Sequence, residues 1–445
     1  MFDADNKLIA KWAPVLEHAD APAIDSSLKK GVTARLLENQ EIAFAEQRAQ
    51  SFGSINEAAP TSNTTGVDNY NPVLISMVRR TMPNLIAYDI AGVQPMTAPT
   101  GLIFAMQPKY DTQSGDNAFT SEADTLFSGF NAGNANTALV QDADPTGLAG
   151  VTDVDTDGDI GDEADTVSIG GGTLLSGALT TAEGEELGDE AANAFPEMSF
   201  KITSTTVTAV TRALKAEYTM ELAQDLKAVH GLDAEAELAN ILSGEMLTEI
   251  NREVVRSVYK QAKIGAQNCA VKGILNASVG TDGDTGGRWQ AEVYKGIGMQ
   301  LQFEANAIAK ETRRGRGNFA IVSSDVASAL AASGTLDYAP GLSTGLAVDD
   351  TGNTFAGVLN GSIKIYVDPY ATVNSIAVGY RGSNPYDAGI FYCPYVPLTM
   401  VKAMGEDTFQ PKIGFKTRYG MVANPFASGA ARANPYFRIM RVDAL

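Results

Sequence analysis

The densest set of metal-type ligands in the chain is Asp153-Val154-Asp155-Thr156-Asp157-Gly158-Asp159-Ile160. Carboxylates at alternate positions, then a turn glycine and an apolar residue, resemble the opening of an EF-hand calcium loop, where hard oxygen ligands surround a hard cation. A full loop closes with a bidentate Glu at its twelfth position; Ala164 stands there, with Glu163 one place early. No helix is expected on either side. Asp153, Asp155, Asp157 and Asp159 therefore read either as a calcium site or as a solvated acidic loop. The second reading is preferred, and no resident cofactor is expected.

Nucleophilic chemistry has few candidates. The two histidines, His18 and His230, would have to serve any Ser–His or Cys–His system. His230 sits beside Gly231 at an expected helix end, where a capping or solvent-facing role suits it better than that of a base. Cys269 and Cys393 flank no CxxC motif and no His cluster, so they read as reduced thiols made in a cytoplasm. No P-loop, GxSxG or HExxH motif occurs, and the chain is not read as an enzyme. The basic loop Arg313-Arg314-Gly315-Arg316-Gly317 could contact phosphate. Without interleaved aromatics, salt bridging to a neighbouring subunit or a solvated turn is the better reading.

Charge is unevenly spread. From Asp111 to Glu197 there are 19 acidic residues and no Lys or Arg, nearly the whole net charge of −20. This acidic module would repel phosphate backbones, so sequence-specific nucleic-acid binding is not expected. At 445 residues the chain exceeds what one compact core usually serves, and two or three lobes are expected. No run of about 18 uncharged apolar residues is present, so no membrane span is expected. Met1-Phe2-Asp3-Ala4-Asp5 carries acids and no apolar stretch, unlike a secretory signal.

The elements that must position these residues can be read from periodicity. Leu28 to Phe52 reads as a helix, with Leu28, Val32, Leu36, Ile42 and Phe44 among charged residues. Ser54 to Gly66 is small, polar and turn-rich, an exposed linker of the kind proteases cut. Asn71 to Arg80 reads as a short helix stopped by Pro83. The acidic module, with Gly170-Gly171-Gly172 and few large apolar residues, reads as a loop-rich insertion. Met198 to Val210 alternates as a strand, and Arg212 to His230 reads as a helix ended by Gly231.

Asp233 is a good N-cap for the next helix, which runs to about Lys263. Along it Leu238, Ile241, Leu242, Met246, Ile250, Val254 and Val258 recur at helical spacing, giving a rod of roughly 45 Å. After Gly273 the pattern becomes α/β. It comprises a helix from Trp289 to Lys310, a strand Phe319–Val322, and a helix capped by Ser323/Ser324. Strands at Ser362–Val367 and Ile376–Tyr380 follow. Near the C-terminus Ile413, Phe415, Thr417, Tyr419 and Met421 face one way and Lys412, Lys416 and Arg418 the other, before a last strand, Tyr436–Val442.

Several long ungapped blocks carry a resemblance. They are Asn71–Met96 (NPVLISMVRRTMPNLIAYDIAGVQPM), Thr100–Met106 (TGLIFAM), Glu122–Gly129 (EADTLFSG), Leu214–Leu226 (LKAEYTMELAQDL) and Val229–Val255. They resemble the major capsid protein of T-even-like myoviruses over most of the chain from about Asn71, except the middle of the acidic module. The resemblance implies an α+β chain with the Hong Kong 97 phage capsid fold plus an acidic loop-rich insertion. Its expected parts are 1–57, a cleavable propeptide with a helix; 58–110, an N-terminal arm and the start of an extended loop; and 111–197, the acidic insertion. Then come 198–272, a peripheral domain with a spine helix at 233–263; 273–390, an axial α/β domain; and 391–445, peripheral C-terminal strands.

The resemblance also implies a life cycle. Subunits made in the host bacterial cytoplasm would form hexamers in the icosahedral shell of the virion. Their partners would be vertex and portal proteins, an internal scaffold, a prohead protease and decoration proteins, around DNA enclosed without sequence-specific binding, and no membrane. The family's protease prefers Leu/Ile-x-Glu before its cut. Ile55-Asn56-Glu57, followed by Ala58, matches and lies in the polar linker. Leu36-Leu37-Glu38 and Leu247-Thr248-Glu249 match too, but within expected helices. Cutting after Glu57 would leave 388 residues. The competing readings are the family's paralogous pentameric vertex protein, a nanocompartment shell of the same fold, and a calcium-stabilised surface or adhesion protein.

Overall fold

The computed structural model describes residues 2–17, 26–52, 85–115, 197–280, 289–338, 354–405, 410–425 and 431–445, with single positions and short stretches between them. It divides into two units, 1–104 with 204–445, and 105–203. The first is a mixed α/β structure built round two sheets.

Two helices open the chain, α1 (Phe2–Leu16) and α2 (Ser27–Phe52). A single-turn helix, α3 (Ala87–Ile90), leads into the short strand β1 (Gly92–Val93). The long strands β2 (Thr100–Tyr110) and β3 (Met198–Thr208) pair with each other. The expected helix from Arg212 to His230 is corrected. Val210–Glu217 is a strand, β4, and only Met220–His230 is helical, as α4. The reason is tertiary. A later strand, β13 (Pro411–Ala423), offers β4 an antiparallel ladder from Val210↔Tyr419 to Glu217↔Lys412. Helix α4 starts only where the Thr219 hydroxyl can accept from Leu222 N. Gly231 closes it in the left-handed region, at φ 68°.

Helix α5 (Ala234–Gln261) begins on the expected cap, with the Asp233 carboxylate accepting from Glu235 N. Its 28 residues span about 42 Å. The stripe Ala239, Leu242, Met246, Ile250, Val254 and Val258 is buried. Ile241, expected on that stripe, is exposed. The helix stops at Gln261 because Ala262–Ile264 forms a strand, β5. Beyond it lie β6 (Ile274–Asn276), α6 (Gln290–Thr312), β7 (Phe319–Ser323) and α7 (Ser324–Ala332). Ser323 sits at the N-cap of α7, but its hydroxyl donates to Asn374 Oδ1 rather than capping the helix. The remaining strands are β8 (Leu336–Tyr338), β9 (Thr354–Leu359), β10 (Ile363–Asp368), β11 (Ser375–Gly379), β12 (Ile390–Met404) and β14 (Asn434–Asp443).

The smaller sheet runs β1-β12-β13-β4. Its β12–β13 register shifts between Pro394 and Val396 and again between Val396 and Thr399. Pro394 and Pro397 have no N–H to give the ladder there. The larger sheet runs β5-β14-β11-β7-β10-β9-β8, with β6 also on β14. All five residues of β7 are buried, as expected of a strand covered on both faces. Residues 391–445 therefore serve both sheets: β12 and β13 lie in the smaller one, while β14 pairs with β11 in the larger.

Helix α5 is fastened to both sheets. Arg252 Nη1 lies 2.6 Å from both oxygens of Asp368, at the end of β10. Tyr259 OH (3.0 Å) and Tyr370 N (3.0 Å) complete the carboxylate's shell. Burial, then the Asp368 charge, pushes the Tyr259 phenol above its usual range. The residue after Arg252, Glu253, accepts from Arg212 of β4 at 2.7 Å and from the Tyr419 hydroxyl. Cys393 belongs to a small cluster with Met96, Ile103, Val207 and Phe391. Burial pushes its thiol up to about 12, and Cys269 is raised less strongly, first by partial burial.

Removing one partner of a buried ion pair strands the other. Asp368→Ala should therefore cost about 3 kcal/mol in denaturant melts of the unassembled subunit, because Arg252, the Tyr259 hydroxyl and Tyr370 N all lose their acceptor. An Asp368→Ala subunit as stable as the parent would contradict this packing. In thiol labelling near neutral pH, Cys269 should react well before Cys393; equal rates would show that the cluster around Cys393 opens freely.

Candidate functional site

Most of the residues singled out for chemistry fall outside the described part of the chain. Ile55, Asn56, Glu57 and Ala58 lie outside the described residues, as do Asp153, Asp155, Asp157 and Asp159, the Asn71–Arg80 helix and His18. His230 is the exposed last residue of α4. Among the described residues there is no group of three or more His, Cys, Asp or Glu that could hold a metal ion.

The basic loop is tied down within its own chain. Arg313 closes α6 in the left-handed region, at φ 52°. Arg314 pairs with Asp387 at 3.3 Å, and its carbonyl accepts from the Tyr380 hydroxyl. Tyr436 OH reaches the same carboxylate at 3.3 Å, and the two tyrosine rings stack 6.2 Å apart. Arg316 donates to Ser362 Oγ at 2.6 Å. Two of the three arginines thus hold a turn against β10, β11 and β14. These bonds are internal, where the sequence suggested a neighbouring subunit or a solvated turn.

A second buried group stiffens the junction of α6 and β5. Glu304 Oε1 accepts from Ala266 N (2.6 Å) and Gln300 Nε2 (3.0 Å). Arg438 bridges from Glu304 (3.6 Å) to Glu311 (2.6 Å), which also meets Lys263 at 3.1 Å. These groups are ion-paired and bonded to backbone. They offer a substrate no free acid or base.

What the surface does offer is apolar area. On β3 the even-numbered positions Met198, Phe200 and Ile202 are 53%, 58% and 57% exposed, and Met106 on β2 is 64% exposed. Ser199 and Thr203 on the other face of β3 are half-buried. The usual order, apolar inward and polar outward, is inverted here. Helix α4 has no buried residue, and Met220, Leu222 and Val229 are exposed on it. Apolar strands and helices left bare in this way are surfaces for association. Alternation shows that a strand's two faces differ, but not which of them meets water, so the sequence alone could not have marked β3.

Comparison with known proteins agrees with a surface-driven role. The family described as Major capsid protein Gp23 matches residues 67–442. The chain is 38% identical to the major capsid protein of Vibrio phage KVP40, over 96% of this chain and 94% of that protein. It is likewise 38% identical to the major capsid protein of Enterobacteria phage T4, over 96% and 93%. The capsid vertex protein of Enterobacteria phage T4 is more distant, at 26% over 84% and 90%. With a match along nearly its whole length, the chain belongs to the major capsid protein Gp23 family, the structural shell proteins of T-even-like phage heads.

Proposed function

We propose that this capsid subunit works by tiling: copies associate into hexamers, and hexamers into the icosahedral shell that encloses DNA in the virion. The observation that carries the reading is the exposed apolar face of β3, on a chain whose family builds capsids. Burying such faces many times over would let individually weak contacts sum to a stable particle. The element order supports a Hong Kong 97-type reading, in which α5 is the spine helix and β2 and β3 lead into the extended loop. In that reading the larger sheet with α6 and α7 forms most of the axial domain. Greater identity to major capsid proteins than to the vertex protein favours the hexamer-former over the pentameric vertex alternative.

Maturation would follow from the linker. A prohead protease cutting after Glu57, between Ile55-Asn56-Glu57 and Ala58, is irreversible, and a shell held by removed contacts would then expand. Scaffold, portal, vertex and decoration proteins are the partners this scheme requires. The Asp153–Asp159 motif is best taken as a solvated outward loop, because carboxylates facing packaged DNA would be repelled. Calorimetry on intact particles should accordingly show no calcium uptake that depends on Asp155 and Asp157.

Phe200→Asp adds a charge at an exposed position, so the lone subunit should melt within about 0.5 kcal/mol of the parent. Assembly with scaffold, followed by sedimentation and negative-stain microscopy, should nevertheless fall sharply. Normal shells from Phe200→Asp would remove β3 from the contact. Glu57→Gln should leave particles unexpanded with full-length subunits by mass spectrometry; particles that mature while carrying full-length subunits would refute the assigned cut.

A further inference from the structure

The N-terminal helices raise a problem for any simple removal of residues 1–57, because they are packed into the main core. Leu36 and Leu37 of α2 and Trp12 and Leu16 of α1 are buried in one cluster with Tyr88 and Ile90 of α3, Tyr392 and Leu398 of β12, and the α5 stripe. The packing is specific as well as apolar. The buried Asn39 side chain donates from Nδ2 to two backbone carbonyls, Met96 O at 2.8 Å and Tyr395 O at 2.9 Å. Lys29 Nζ stands 5.6 Å from the centre of the Tyr88 ring. Helix α1 is clamped to α2 by Lys11, 2.7 Å from both Glu38 and Glu41, and by Trp12 Nε1 donating to Glu38 at 3.1 Å. The pair is therefore built to move as one body.

One feature opposes the docking. Gln40, beside Asn39 and only 3% exposed, has both side-chain polar atoms buried without a hydrogen-bond partner among the described residues. The Tyr88 hydroxyl is in the same condition. Water would satisfy both groups if the helix left.

We propose that α3, the Gln94–Met96 stretch and β12 form a groove whose occupant is α2, carrying α1 with it, and that release of α2 is a step separate from cutting the chain. The proposal rests on the reading of 1–57 as a removable segment. Cleavage breaks a peptide bond in the linker but touches none of the contacts above, so the cut hairpin stays seated until it is displaced. Asn39 sets how firmly it is held. Gln40 keeps the hold from becoming permanent. The groove then acts as a delay between proteolysis and whatever rearrangement needs the vacated surface.

The test uses the full chain with an unrelated protease site inserted between residues 53 and 60, cut before assembly. The N-terminal fragment should co-elute with the remainder on gel filtration. Asn39→Ala should speed its loss roughly thirty-fold, since two hydrogen bonds of about 1 kcal/mol each are removed. Gln40→Met, which fills similar space without an amide, should retain the fragment several-fold longer, and it keeps the test open should Asn39→Ala misfold. Immediate separation on cutting the unsubstituted chain, or retention that ignores Gln40→Met, overturns the proposal. Because the inserted site has its own protease, an error in assigning Glu57 would show only in the mass of mature subunits and would leave this result untouched.

Discussion

A 28-residue helix with one buried stripe must find apolar partners along about 42 Å, and that requirement organises the larger unit. Isolated helices gain little from propensity alone, so α5 is held by what packs on it. The smaller sheet supplies Ile413, Phe415 and Tyr419, the larger supplies Phe319, Ile321 and Phe437, and the N-terminal helices supply Leu36 and Leu37. Directed bonds then fix the register that hydrophobic contact leaves loose. Arg252 and Tyr259, two turns apart, converge on Asp368 of β10, while Glu249 and Glu253, one turn apart, receive Arg212 of β4. The larger sheet cannot slide along α5 without leaving the buried Asp368 carboxylate unpaired, which costs several kcal/mol; the partly exposed Arg212 pairs give the smaller sheet direction more than energy.

The sequence was most legible where one element dictates its own form. Helix α5 announced itself through Asp233, two first-turn glutamates and a regular apolar stripe, and β13 through strict alternation from Ile413 to Tyr419. Legibility failed where a distant partner decides. Arg212 to Glu217 has residues that suit a helix, yet the chain pairs it with β13, some two hundred residues later. Ile241, expected on the apolar stripe, is exposed and stands about 100° round the helix from the buried Leu242. The 391–445 segment reads as one run of strands, and only long-range pairing of β14 with β11 divides it between two sheets.

The functional surfaces were less legible for a related reason. Burial is a property of the fold, so the inverted faces of β3 carry no local signature beyond alternation. Asn39 and Gln40 are adjacent polar residues in a helix with no distinctive pattern, and only the groove makes one of them a bond donor and the other an unpaired amide. The arginine loop illustrates the converse. Three basic residues between glycines look like a phosphate contact, but Asp387 and Ser362 give two of them partners that the sequence could not locate. Recognition of the family came from long ungapped blocks, which need no three-dimensional context.

A shell subunit must balance association against premature association. Exposed Met and Phe favour contact, while 19 carboxylates without a Lys or Arg between Asp111 and Glu197 would oppose it by repulsion wherever copies bring them close. Screening limits that repulsion to about 8 Å at physiological salt, so it weakens close encounters without preventing them. Contacts tuned to be weak one by one become irreversible only when many form together, which allows misplaced copies to leave. On the proposed cut after Glu57, proteolysis would add a step that runs in one direction only. The N-terminal helices, seated in the subunit's own core, would suit that step. Their contacts stabilise the subunit before assembly, and their loss would change the free energy of every copy by the same amount.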